Sequence, residues 1–340
     1  MSTPIINNHL KSTLYYIPEN KVMLLGFYGH LPISRVIKSQ INQMEFNVTF
    51  VSDGLTLSGV VHTPDGQEAG KLNPAFLVLH GFGSNKESPG AVAIAKQLAC
   101  WGYFAMRFDF RCCGESEGER GRILCKEQVI DTSNAISYLA SYSAVDPKRI
   151  ALVGSSFGAA VAVYTGGNDS RVAAVISCGG WGNGERKFRR QHPTPEAWSR
   201  FSHLLEEGQR YRKIMGKSLM VPRFEIVPIP EHLRSGLSKD SIMEFPAETA
   251  QSMYEFCADE MVGKIAPRPL LLLHSARDSV TPTEESIEMF KRAKQPVELH
   301  LLSQVDHFMF SEENARVLQL ISGWLARFFP AQGFVYANLI

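Results

Sequence analysis

A serine hydroxyl is a poor nucleophile until a base takes its proton, and an imidazole fills that role when a carboxylate fixes its tautomer. Three short stretches of this chain supply those groups. IALVGSSFGAA, at 150–160, contains G-x-S-x-G as Gly154, Ser156 and Gly158. LLLLHSARDSVTP sets Asp278 just past an apolar run, and QVDHFMF sets His307 just past another. Of the two adjacent serines, Ser155 would have Val153 and Phe157 where the turn needs small residues, so Ser156 takes the tip. Singly, each stretch has a plainer reading: a Gly/Ser turn, a capping aspartate, a satisfied loop histidine. In the order Ser, acid, His at successive strand ends they describe acyl transfer through a covalent acyl-serine.

An acyl transfer also needs donors for the developing oxyanion. LVLHGFG ends an apolar strand in a turn with Gly81 and Gly83, which offers the N–H of Phe82. The N–H of Phe157, just after the serine, is the expected second donor. His80 itself reads as structural. Asp306 adjoins His307 but adjacent side chains point apart. His274 lies in the strand before Asp278 and reads as a strand or supporting residue, and His300 as part of VELHLL.

The elements that must hold these groups alternate along the chain. FNVTFVS, the turn Asp53-Gly54 and LTLSGVVHTP make a hairpin. Apolar strands follow at 74–80, 103–110, 149–155, 172–178, 269–275 and 297–302. Helical patterns lie between them at 90–102 and 126–142, from 156, at 282–293 and at 313–329. Continuous apolar strands between helices imply a parallel sheet covered on both faces, hence an α/β class. The chain therefore divides into an N-terminal extension without an assignable role (1–45), a first core part (46–180), an insertion (181–266) and a second core part (267–340). The insertion is rich in charge, aromatics and proline, and too long for a structureless loop.

Composition narrows the classes further. With 340 residues, 44% of them hydrophobic and 20% charged, the chain can bury a large core. A net charge of +1 gives no electrostatic pull toward nucleic acid or an anionic membrane. No stretch has the length of a membrane span, and the start lacks the pattern of a secretory signal. Six cysteines, two of them adjacent, form neither a disulfide framework nor a metal motif. The expectation is a cytoplasmic protein without metal or cofactor, acting on a small acyl substrate. The oligomeric state stays open, a homodimer included.

HGFG at 80–83, FDFRCCGESEG at 108–118, GSSFG at 154–158, RDSVTP at 277–282 and DHF at 306–308 resemble the α/β-hydrolases over residues 46–330. The chain is most similar to bacterial cinnamoyl (feruloyl) esterases and monoacylglycerol lipase-like enzymes. The resemblance implies an eight-stranded, mostly parallel sheet and a cap inserted after the sixth strand. It also implies a Ser156–Asp278–His307 triad with Phe82 and Phe157 as oxyanion donors. The chain departs from the pattern at Cys112, where the family has glycine. Asp109 and Arg111 read as structural in that loop. For substrate contacts, Cys178 and Trp181 leave a strand at the expected rim, Arg189 or Arg190 could meet a substrate carboxylate, and FEIVPIP at 224–230 covers the pocket or packs the insertion down.

A serine nucleophile excludes the aspartate-based epoxide hydrolases and dehalogenases of this fold. It leaves an ester hydrolase as the first expectation, with an acyltransferase or thioesterase as the alternative. A non-catalytic binding protein is disfavoured because all three triad members are present. A prolyl-oligopeptidase-type peptidase is disfavoured because the large extra domain is missing.

Overall fold

The computed structural model describes residues 44–64, 70–310 and 314–331. The extension assigned to 1–45 therefore lies outside the described residues except for its last two. The strands in chain order are β1 (Glu45–Ser52), β2 (Leu55–His62), β3 (Asn73–Leu79), β4 (Phe104–Phe108), β5 (Val145–Ser155), β6 (Val172–Cys178), β7 (Met220–Pro222), β8 (Glu244–Pro246), β9 (Leu270–Ser275) and β10 (Val297–Leu302). The helices are α1 (Pro89–Cys100), α2 (Cys125–Ala140), α3 (Phe157–Asn168), α4 (Gly184–Gln191), α5 (Pro195–Met215), α6 (Arg223–Ile226), α7 (Ala247–Glu255), α8 (Asp259–Val262), α9 (Glu284–Arg292) and α10 (Ala315–Phe328).

Eight strands form one sheet in the order β1-β2-β4-β3-β5-β6-β9-β10. The β1–β2 and β2–β4 pairs are antiparallel and the others parallel. The β1–β2 hairpin turns on Asp53 and Gly54, both at positive φ (49° and 81°), the backbone that a tight two-residue turn requires. The apolar runs are continuous because each inner strand feeds two cores. In β3, Ala75, Leu77 and Leu79 join one cluster while Phe76 and Val78 join the other; in β9, Leu270 and Leu272 face Leu271 and Leu273 across the sheet. Helices α2, α3 and α9 close the first face, and α1 and α10 the second. Among the described residues no helix is long and apolar enough to cross a membrane.

The stretch between β6 and β9 is a folded insert rather than a loop. Helix α4 starts at Asn183, whose side chain accepts from the Arg186 N–H. Helix α5 starts at Thr194 with Pro195 behind it and stops at Gly216, which is left-handed at φ 66°. The β7–β8 ribbon, which the sequence pattern does not announce, pairs Met220–Pro222 with Glu244–Pro246. Phe188, Phe201, Ile226, Phe245, Met253 and Phe256 from the insert share one apolar cluster with the sheet face that carries α2 and α3.

Lys187 lies inside this contact. It is 1% exposed, with Nζ 3.9 Å over the Phe188 ring and 4.8 Å over the Trp181 ring, and no hydrogen-bond acceptor among the described residues. Burial drives its pKa down to about 7, and nearby Glu285 restores only part of the shift. In the unfolded chain it returns to the ordinary 10.5. Folding therefore suffers the full penalty below about pH 7, and the penalty fades as pH rises from there toward 10.5. Lys187→Met should be more stable than the parent by a few kcal/mol near neutrality. In urea unfolding the gap between the two proteins should narrow steadily as the pH is raised through the alkaline range; a constant gap would contradict a desolvated amine.

Candidate active site

Ser156 sits at φ 54°, ψ −114° between the end of β5 and the start of α3. Few residues other than glycine adopt such a backbone, and the local packing explains why this one does. A Cβ on Gly154 would come 2.2 Å from the Gly158 carbonyl oxygen. A Cβ on Gly158 would come 2.3 Å from the Leu79 oxygen and 2.6 Å from the His80 oxygen. The two motif glycines are thus needed because strand, helix and the end of β3 touch backbone to backbone. The Ser156 N–H, donating to the Cys178 carbonyl at 2.8 Å, pins the corner to β6.

The three candidates meet at the C-terminal edge of the sheet. Ser156 Oγ is 2.8 Å from His307 Nε2, and His307 Nδ1 is 2.9 and 3.0 Å from the two Asp278 oxygens. Facing a carboxylate, Nδ1 carries the proton, which leaves the Nε2 lone pair for the serine hydroxyl. Asp278 Oδ1 also accepts from the N–H groups of Val280 and Thr281, each at 2.8 Å. Burial alone would favour the neutral acid, but His307 and His274 outweigh it and hold the Asp278 carboxyl well below the usual range. His274, fully buried, places Nε2 3.3 Å from Asp278 Oδ2 and 3.0 Å from the Thr281 carbonyl. That carbonyl can only accept, so Nε2–H donates, while Nδ1 lies 2.6 Å from the Ser286 hydroxyl. Asp306 turns away to the Ser279 backbone and hydroxyl. Gly179, at the expected rim of the pocket, stands beside the pair: a Cβ there would be 3.6 Å from both Asp278 Oδ2 and His307 Nδ1.

The HGFG turn lies against the same corner, since a Cβ on Gly81 would be 3.8 Å from that of Ser156. Phe82 and Phe157, the expected oxyanion donors, belong to the two turns that meet here, their rings 6.2 Å apart. The glycine this turn demands is Gly83, at φ 54° and with a prospective Cβ 2.4 Å from the Phe245 ring; Gly81 has ordinary room. His80 bridges loops, with Nδ1 2.9 Å from the Gly81 carbonyl and Nε2 accepting from the Phe110 N–H at 3.3 Å. The departure at Cys112 shows in the backbone: it holds φ 67°, a conformation suited to glycine, and burial pushes its thiol up to about 11. Asp109 takes Lys86 Nζ at 3.0 Å and Arg111 is paired with Asp131, so both serve the loop.

A pocket of about 760 Å³, its mouth included, opens over Ser156 and His307. Its walls include Val227 and Ile229 of FEIVPIP, with Leu237, Val280 and Phe308. The substrate contacts expected from the sequence are corrected here. Trp181 is 1% exposed and packs behind Phe157, because Gly180 brings the chain back against Ala159 of α3. Cys178 is buried in the core beneath the corner. Arg189 pairs with Glu185 and Arg190 with Glu284 on the exposed side of α4. None of the four lines the pocket. The residue that sequence reasoning missed is Arg223, a pocket-lining cation one position before FEIVPIP; a lone arginine entering an apolar run was the available signal.

The family described as serine aminopeptidase, S33, matches residues 70–314. A quorum-quenching protein of Acinetobacter baumannii is 33% identical over 140 residues, 41% of this chain and 45% of that protein. A polyketide transferase of Stachybotrys chlorohalonatus is 27% identical over 288 residues, 78% of this chain and 91% of the relative. The crystal structure of an α/β hydrolase from Penicillium sp. sh18 superposes with TM-score 0.69 at 23% identity, covering 84% of this chain and 99% of that one.

The strained corner makes a stability test possible. Ser156→Ala and Ser156→Gly both remove the hydroxyl, but only glycine accepts φ 54° freely. The glycine variant should be the more stable of the two by about 1 kcal/mol in denaturant unfolding, the relief of strain exceeding glycine's entropic cost. Equal stabilities would mean that the corner stores no strain.

Proposed function

Because the chain belongs to the serine aminopeptidase S33 family of α/β hydrolases, we propose that it is a serine hydrolase that cleaves a carboxylic ester through an acyl-enzyme. The observation that carries this reading is the continuous chain Ser156 Oγ–His307 Nε2 and Nδ1–Asp278, with contacts of 2.8 and 2.9 Å. His307 takes the Ser156 proton as Oγ attacks the ester carbonyl, and then returns it to the departing alkoxide. Water, deprotonated by the same imidazole, attacks the acyl-serine, and the enzyme is regenerated as the acid leaves. Asp278 remains ionised throughout and stabilises the imidazolium. Phe82 and Phe157 donate their N–H groups to the oxyanion.

A second reading is transfer of the acyl group to an alcohol or amine instead of water. It is favoured by the polyketide transferase relative, whose similarity extends over most of both chains. Both readings share every step up to the acyl-enzyme.

A fluorophosphonate probe tests the shared part. Labelling should fall on Ser156 and vanish in Ser156→Ala and His307→Ala. Hydrolysis of p-nitrophenyl esters should drop on the order of a million-fold in Ser156→Ala and about ten-thousand-fold in Asp278→Asn. Substantial turnover in Ser156→Ala would end the assignment. Added alcohols and amines that divert product from acid to ester or amide would select the transferase reading.

A further inference from the structure

The pocket contains a charge that triad chemistry does not use. Arg223, first residue of α6, is 3% exposed and lines the same pocket as Ser156 and His307. Its Nη1 donates to the Ile242 carbonyl at 2.9 Å and its Nη2 to the Phe82 carbonyl at 2.6 Å. Its buried Nε–H has no acceptor among the described residues. The Phe82 and Phe245 rings flank it, 5.2 and 6.0 Å from the guanidinium carbon. Cys113, the ionisable neighbour that acts on it, is itself driven well above the ordinary thiol range by burial and is neutral at working pH.

Other buried cations of the body have anions beside them. Lys86 meets Asp109 at 3.0 Å, Arg107 meets Glu87 at 2.8 Å and Arg111 meets Asp131 at 2.7 Å. Lys187 has Glu285 nearby but no ion-pair contact among the described residues, and an amine can lose its proton. Arg223 cannot follow: burial brings it down only to about 10, so it stays charged near neutrality. An uncompensated buried cation is costly, and buried charges in folded proteins are paired. Neutral donors would satisfy the two carbonyls equally well, so the charge is surplus to that structural task. Those two bonds do something else for it: they fix the guanidinium in place beside the oxyanion turn before any ligand arrives.

We propose that Arg223 is an anion subsite of this pocket and that the substrate carries a carboxylate there, in addition to the acyl bond that Ser156 attacks. The inference rests on the acyl-serine reading and names the substrate class within it: an ester with an apolar stretch, matched by Val227, Ile229 and Leu237, and an acidic group. The carboxylate supplies the missing counter-charge, and a planar guanidinium suits it.

The test compares p-nitrophenyl half-esters of dicarboxylic acids, of graded chain length, with their methyl-capped counterparts. A second series carries the carboxylate on the alcohol side, as carboxyphenyl esters against the capped forms. For at least one member the wild-type protein should prefer the acid over its capped twin by about 10- to 100-fold in kcat/KM, the range of a charge-assisted hydrogen bond. In Arg223→Gln that ratio should collapse toward unity, with Arg223→Lys retaining part of it; the ratio, not the absolute rate, is the readout. No preference in either series, or a preference that survives in Arg223→Gln, overturns the subsite. Should Arg223→Gln fail to fold, wild-type inhibition by free dicarboxylates against their dimethyl esters decides the same question. Fluorophosphonate labelling run in parallel keeps the two readings apart. Labelling of Ser156 without any charge preference removes the subsite alone, whereas a folded wild-type protein that does not label removes the acyl-serine reading and the subsite with it.

Discussion

The site depends on one steric constraint: three pieces of backbone occupy a space that leaves no room for a side chain. The end of β3, the end of β5 and the first turn of α3 touch through Gly154 and Gly158, where added Cβ atoms would approach carbonyl oxygens to within 2.2 and 2.3 Å. A chain held that tightly cannot round the corner in a relaxed conformation, and Ser156 absorbs the difference at φ 54°. The same compression brings the Phe157 N–H and the HGFG turn to the serine's side of the sheet. The positions of Ser156, the expected oxyanion donors and the pocket floor are therefore consequences of a single close contact. The apolar interdigitation on both sheet faces, with alternate residues of β3, β5 and β9 feeding opposite clusters, makes that contact rigid.

Around this corner the protein solves an electrostatic problem. A carboxylate must be dry enough to act strongly on the imidazole yet remain ionised. Asp278 is fully buried, and the solution is local: two backbone N–H groups, His307 and the Nε2–H of His274 all point at its oxygens. His274 is in turn held by Ser286 of α9, so a helix on the sheet's face indirectly orients an acid on its edge. Together these donors keep Asp278 ionised, so its negative charge is available to the imidazole of His307.

Legibility from sequence follows the range of the interactions involved. The hairpin at Asp53-Gly54, the alternating strands and helices and the stretches that carry Ser156, Asp278 and His307 are set by local chemistry and by period, and they stand out in the string. So did the roles of His274 and His80 as supports. What failed depended on the path of the chain in three dimensions. Trp181 follows a strand that ends at the site, but Gly179 at φ 64° and Gly180 against α3 turn it inward, a reversal that no spacing records. In ERKFRRQ the sequence draws attention to Arg189 and Arg190, yet α4 presents those to solvent and buries Lys187 and Phe188. The helical period was readable there; which face met the body was not. Arg223 was hidden for the same reason, since its significance is that no anion lies near it among the described residues, a property of the folded surroundings.

These successes and failures fall on opposite sides of one boundary. The sheet and its edge hold Ser156, His307 and Asp278, which short-range motifs place. The insert contributes Val227, Ile229 and Arg223 to the pocket wall. Such a division lets walls change while the corner stays fixed, because the contacts that strain Ser156 all lie within the sheet and α3. Under the proposed acyl-serine chemistry it would also shape the fate of the acyl-enzyme. Water and a bulkier acceptor compete for the same carbon, and their competition is decided by how closely the wall covers the ester, not by the triad, which serves either nucleophile alike. Under the proposed subsite, the charge of Arg223 would act before this choice, by orienting the acyl group while both acceptors are still outside.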